Sequence, residues 1–171
     1  VKRPAALLAA ALLAACASTP QPAPGNWTSG RLTLRVEATA ERIAQSLSAS
    51  FDLQGNGVRG ELRLTSALGL QVAAARWAPG QAELTTPQGS VRFDSLSELS
   101  RQALGEDVPL AALPDWLAGR PWANAAHELQ PDGFAQLGWR VDLTHQLEGR
   151  LEARRAAPPA VILRVRLEPM P

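Results

Sequence analysis

Gln45-Ser46-Leu47-Ser48-Ala49-Ser50-Phe51-Asp52-Leu53-Gln54-Gly55-Asn56-Gly57-Val58-Arg59-Gly60-Glu61-Leu62-Arg63-Leu64 alternates apolar and polar side chains on both sides of a glycine-rich break. Successive side chains of an extended chain point to opposite faces, so Leu47, Ala49, Phe51 and Leu53 share one face and Ser48, Ser50 and Asp52 the other. Gly55-Asn56-Gly57 supplies the positive φ values of a tight turn. Beyond it, Val58, Leu62 and Leu64 line up opposite Arg59, Glu61 and Arg63. Two such strands form an antiparallel hairpin with one dry face and one wet face.

The same period extends outward in both directions. Upstream, Leu32, Leu34 and Val36 alternate with Thr33, Arg35 and Glu37. Downstream, Leu70–Trp77, Gln81–Thr86 and Ser90–Phe93 read as strands separated by Pro79-Gly80 and Pro87-Gln88-Gly89. A helical interlude follows. Ser95-Leu96-Ser97-Glu98 matches a capping box, Leu96, Leu99, Ala103 and Leu104 fall on one helical face, and Gly105 is the stop. Glu106-Asp107 reads as the solvated start of a second short helix over Leu110–Leu117, with Gly119 as its end. Pro114 either sits in that helix's first turn or breaks it. Strands then resume: Phe134-Ala135-Gln136 leads into Leu137, Trp139, Val141 and Leu143, followed by Leu151 with Ala153, and by Val161, Leu163, Val165 and Leu167. Runs of strands with the helices collected between them imply an α+β fold, an antiparallel sheet capped on one face. About nine to eleven strands in one sheet tend to curl into a barrel.

The N-terminus has a different composition. Lys2 and Arg3 precede an apolar run from Ala5 to Leu13, which ends Leu13-Ala14-Ala15-Cys16. Charged, apolar and small, in that order, is the pattern of a secretory signal, and the run is short of the roughly 20 residues that span a bilayer. Residues 1–15 are therefore expected to be a lipoprotein signal peptide, removed to leave Cys16 as the lipidated N-terminus. Cys16 is the chain's one cysteine, so it has no internal disulfide partner, and its thiolate is the nucleophile that takes a diacylglyceryl group. Residues 16–26, rich in Ser, Thr, Pro and Gln, read as the lipidated end and a flexible tether, and 27–171 as one domain. Ala17, rather than Asp, after the cysteine points to the outer membrane of a Gram-negative cell.

Charge and motif content narrow the function. Without Lys2 and Arg3, 15 of the 17 basic residues remain against 16 acidic ones, so no nucleic-acid partner is expected. His127 and His145 are not at metal-ligand spacing and there is no second Cys, so neither a metal nor another cofactor is expected. No G-x-S-x-G, H-E-x-x-H or phosphate-loop motif occurs, and nothing in the sequence supports an enzyme.

Three stretches carry a resemblance. Leu64-Thr65-Ser66-Ala67-Leu68-Gly69 resembles L-x-x-P-L-G, with Ala67 where Pro is usual; Leu110 to Gly119 resembles L-x-x-L-x-x-W-L-x-G; and Gly133-Phe134-Ala135-Gln136-Leu137-Gly138-Trp139 resembles G-F-x-Q-x-G-W. In this order, behind a lipoprotein signal, they resemble the LolB family of outer-membrane lipoprotein receptors. The resemblance implies an incomplete antiparallel barrel closed by short helices around an apolar cavity for the acyl chains of cargo lipoproteins. It also implies a LolA-like periplasmic carrier as partner, no nucleotide, and a monomer on the periplasmic face of the outer membrane, anchored through Cys16. An acyl chain is worth on the order of 10 kcal/mol of burial at about 0.8 kcal/mol per CH₂, so a carrier must offer comparable apolar surface.

The inward members of the alternating sets, Leu34, Phe51, Leu64, Phe93, Leu99, Trp116 and Trp139, are the candidate acyl-chain residues. Periodicity shows only that they face inward, and leaves open whether each lines a cavity or packs in a core. Ala67, Leu68 and Gly69 lie between strands, where a polar turn is the norm. Leu68 is either an exposed apolar tip or a residue tucked back into the core; the resemblance favours a tip that inserts into outer-membrane lipid. Other readings of the chain are an envelope lipoprotein that carries a phospholipid or glycolipid, a structural subunit with a packed core, and a hydrolase with a polar cluster in a cleft.

Overall fold

A computed structural model describes residues 27–169; the expected signal peptide, Cys16 and the tether lie outside the described residues. The strands are β1 (Thr28–Val36), β2 (Gln45–Gly55), β3 (Gly60–Thr65), β4 (Gln71–Ala78), β5 (Gln81–Thr86), β6 (Gly89–Phe93), β7 (His127–Gln130), β8 (Gly133–Gln136), β9 (Trp139–Asp142), β10 (Arg150–Arg155) and β11 (Val161–Leu167). Helices α1 (Leu96–Leu104) and α2 (Leu113–Leu117) lie between β6 and β7 in the chain. All strands join one antiparallel sheet in the order β6-β5-β4-β3-β2-β1-β11-β10-β9-β8-β7. The first and last strands pair at its centre, Gly30 with Leu167 and Val36 with Val161, and β6 and β7 form its two edges.

The opening hairpin pairs as the alternation requires, Phe51 opposite Leu64 and Leu53 opposite Leu62. Its turn is longer than expected. Asn56 Oδ1 accepts from the backbone N–H of Val58 (2.8 Å) and Arg59 (3.0 Å), which holds both outside the strand and leaves Val58 exposed. The arrangement is an Asx turn, a competitor to the ladder that Asn side chains commonly offer. Glu61, expected on the wet face, does lie on the outer side of the sheet, yet it is buried beneath Arg63 (2.8 Å) and Arg76 (3.2 Å). Trp27 in turn stacks 4.3 Å from the Arg63 guanidinium.

Helix α1 starts at the expected cap, with Ser95 Oγ accepting from Glu98 N–H at 3.1 Å. The reciprocal half is displaced by one residue, since Glu98 accepts from Asp94 N–H (3.2 Å). Ser95→Ala is expected to cost about 1 kcal/mol, read as a fall of roughly 3 °C in the thermal midpoint. The second helix is shorter than expected because turns occupy Glu106 to Ala112, and Pro114 sits in its first turn. Strand β7 was not foreshadowed by the alternation. Its His127-Glu128-Leu129-Gln130 is an exposed edge with one apolar residue, so it carries no period-two signal.

The sheet curls around its apolar face. Helix α2 touches β2, while its Trp116 packs on Phe134 of β8 and Trp139 of β9, strands that lie far across the sheet from β2. Helix α1 rests on β5 and β6. The antiparallel order gathers the connections into two sets. The chain enters β1 at Thr28, opposite Leu53, at the end that also holds the β2–β3 turn and the 3-10 turn Gln146–Glu148. The β1–β2, β3–β4 and β8–β9 connections lie at the other end.

Candidate functional site

Seven inward side chains were expected to meet an acyl chain, and the fold divides them. Leu34, Phe51, Leu99, Trp116 and Trp139 are buried within one contiguous core, while Leu64 and Phe93 are half-buried at its margin. Trp116 is enclosed completely; its ring lies 6.3 Å from Phe134 edge-on and 6.2 Å from Trp139. The sequence stretches around Trp116 and around Trp139 thus pack on each other. Gln136 ties them together, a role that no periodicity foreshadowed. Its Oε1 accepts from Trp116 Nε1–H (2.9 Å) and Trp122 N–H (2.9 Å), and its Nε2 donates to the carbonyls of Trp122 (2.7 Å) and Ala125 (2.9 Å). Every polar atom of a buried amide is satisfied in this way, as a buried polar group requires.

The margin of the core is where apolar surface stays open. Leu47 faces inward opposite Leu34, Leu64 opposite Phe51, and Val91 opposite Leu84. Leu47, Leu64 and Leu84 are half-buried and Val91 is exposed, with Leu104 of α1 half-buried against the same core. Together they form an apolar shelf between β2 and the free edge at β6, beside α1. A groove of about 730 Å³ lies elsewhere, on the convex side among Arg31, Arg150, Glu152, Arg164 and Arg166. Charged side chains make it a poor host for hydrocarbon, so the shelf is the better acyl-chain candidate.

Ala67, Leu68 and Gly69 sit at the tip of the β3–β4 connection. Ser66 N–H donates to the Leu70 carbonyl (2.8 Å) and Gly69 N–H to the Ser66 carbonyl (2.9 Å), so a compact turn pushes the intervening residues outward. Leu68 is 87% exposed, and Leu70, expected to begin the next strand, is exposed beside it. Of the two alternatives for Leu68, the exposed tip is the one observed. Glu106, read as solvated, is buried between Arg42 and Arg155, which donate to its two carboxylate oxygens. This pairing fastens the β1–β2 connection and β10 to the segment after α1. The two cations lie far from Glu106 in the chain, so no local pattern announces them. Burial alone would raise the Glu106 carboxyl, but hydrogen bonds and charge from Arg155 and Arg42 hold it below the usual carboxylate range.

Among the described residues, no helix is long and apolar enough to cross a membrane. The chain has clear relatives. The sequence family described as "Outer membrane lipoprotein LolB" matches residues 28–166, from the first strand to the last. The outer-membrane lipoprotein LolB of Bordetella petrii is 35% identical over 165 residues, covering 86% of this chain and 82% of that one. That of Bordetella pertussis is 32% identical over 147 residues, with 78% and 73% covered. The Chromobacterium violaceum protein is 28% identical over 146 residues, with 82% and 81% covered. A match that spans the whole sheet, together with relatives similar over most of both chains, means that the chain belongs to the LolB family of outer-membrane lipoproteins.

Proposed function

We propose that the domain takes the acyl chains of a lipoprotein from a soluble LolA-like carrier in the periplasm and releases them into the outer membrane. The observation that carries this reading is Leu68, a large apolar side chain held almost wholly in solvent by a turn closed by hydrogen bonds between Ser66, Gly69 and Leu70. Such a tip contributes little to the fold and suits contact with lipid. The shelf of Leu47, Leu64, Leu84, Val91 and Leu104 is the proposed landing place for the acyl chains, entered beside α1. No bond is made or broken in the transfer, so the protein acts as a monomeric receptor rather than as an enzyme. Cys16, acylated after removal of residues 1–15, keeps the domain at the membrane's periplasmic face.

Leu68→Glu tests the reading. An exposed substitution is expected to alter stability by no more than about 0.5 kcal/mol, so the variant should fold and still accept lipoprotein from the carrier. Placing a carboxylate where the leucine would enter the interface should then leave cargo on the protein instead of in liposomes. Delivery at the normal rate would show that the tip does not touch lipid. If the purified protein instead carries a phospholipid or glycolipid in native mass spectrometry and takes no lipoprotein, the cargo assignment fails.

A further inference from the structure

Leu137 departs from its expected place. The alternation put it on a strand, facing inward with Trp139 and Val141. It stands instead in the two-residue turn between β8 and β9, with φ 54°, followed by Gly138 at φ 77°. Two consecutive positive φ values make the mirror-image hairpin turn, whose first position favours Asn, Asp or Gly. A leucine there is a backbone outlier, because its side chain crowds the adjoining carbonyl. Burial does not compensate for the strain: Leu137 is 46% exposed, while its neighbours Gln136 and Trp139 are both at 2%. The domain by itself would fold better with Asn at this position.

The turn is at the same end of the sheet as the Leu68 loop, and the β1–β2 connection at that end exposes Ile43 (82%). Three connections on separate strand pairs thus each hold apolar side chains out of the fold, Leu70 (65%) accompanying Leu68 in one of them. Small apolar tips spread around one end on separate connections match a planar fluid surface better than a shaped protein partner, which would need contiguous contact area. We propose that Leu137 is a second membrane-contacting side chain, entering the same bilayer interface as Leu68 and fixing which way the open end of the sheet meets the lipid. The inference rests on the reading of Leu68 as a membrane tip and extends it from one loop to an end of the molecule.

The test uses the full chain on vesicles of phosphatidylethanolamine and phosphatidylglycerol that contain an alkyne-tagged phospholipid. A photo-crosslinking phenylalanine analogue is placed at 137, at 68, or at 147. Leu147 is fully exposed but lies at the opposite end, where the chain enters β1. Comparable lipid adducts from 137 and 68, several-fold above those from 147, are the expected result. Adducts from 68 alone would overturn the role of Leu137 and leave the proposed function intact; background yields at both would remove the Leu68 reading as well. Yields from 147 equal to those from 137 would overturn contact through one end. As a second measurement, Leu137→Asn should raise the thermal midpoint by roughly 2–4 °C as strain is relieved while slowing delivery of lipoprotein to the vesicles several-fold. Unchanged delivery, or a lower midpoint, would count against the proposal.

Discussion

Trp116→Ala is expected to destabilise the domain by about 3–5 kcal/mol, the range for removing a large buried aromatic. No part of Trp116 reaches solvent, and its ring meets Phe134 edge-on and Trp139 at a tilt. Truncation would therefore leave a cavity lined by aromatic edges and by α2, a helix of five residues that no intrinsic propensity could hold in place. Domains of this size have roughly 5–15 kcal/mol in total, so the loss is a large fraction of the whole. The indole N–H is a smaller part of the effect, because Gln136 Oε1 would keep its bond from Trp122 N–H. Trp116→Phe should accordingly recover most of the stability. Gln136→Leu should fail for the opposite reason. It fills the space but strands the buried Trp116 N–H, at about 1–3 kcal/mol, and takes a partner from the half-buried Trp122 N–H and from two carbonyls. Urea midpoints at constant slope measure all three. A loss below about 1 kcal/mol for Trp116→Ala would mean that α2 does not rest on the sheet as described.

Glu106→Ala should come next in size. Removing one member of a buried ion pair costs about 3–5 kcal/mol because the partner charges stay behind. Here that figure is reduced to roughly 2–3 kcal/mol, because Arg42 keeps 31% of its side chain in water, where its charge is screened. The same pairing predicts acid sensitivity. The folded Glu106 carboxyl titrates below its ordinary value, so the unfolded chain binds the proton first as pH falls. Its contribution is complete above the ordinary glutamate value, near pH 4.3, and is lost as pH falls through the folded one. Glu61, held low against its own burial by Arg63 and Arg76, acts in the same sense, although those arginines are more exposed. Stability measured from pH 7 down to 3 should therefore decline more steeply in the parent than in Glu106→Gln. Parallel curves would remove Glu106 from the explanation.

Much of the sheet is legible in the sequence, because a strand with one wet face must alternate. Leu47 to Leu53 and Val161 to Leu167 alternate, and they pair as strands. The capping residues of α1 were equally readable, since Ser95 and Glu98 act on backbone groups within a few positions. Failures occur where a distant or geometric cause decides. Leu137 has the parity of a strand residue, and only the φ that the turn imposes moves it out of the core. Glu106 has the look of a solvated acid until Arg42 and Arg155 arrive from other strands. At the site, inward orientation was readable for all seven candidates, but the split between Trp116 in the core and Leu64 at its margin depends on where α1 and α2 settle. No period in the chain records that position.

Thr28 joins the sheet opposite Leu53, and Leu53 lies opposite Leu62 near the start of β3, so the chain begins its fold at the end of β3 away from the Leu68 loop. The strand from Leu62 to Thr65 and the turn beyond it put at least about 10 Å between the two levels. Residues 17–27 extend to at most about 40 Å. A lipid on Cys16 would then work as a leash fixed to the wrong end of the molecule for simple contact. At full extension it would let the loop turn away from the bilayer toward the periplasm; with the chain folded back along the strands, its length would exceed what the loop needs to touch down. On the proposed function, receiving and delivering would then be two orientations of the domain on one anchor, and the reach of residues 17–27 would allow both.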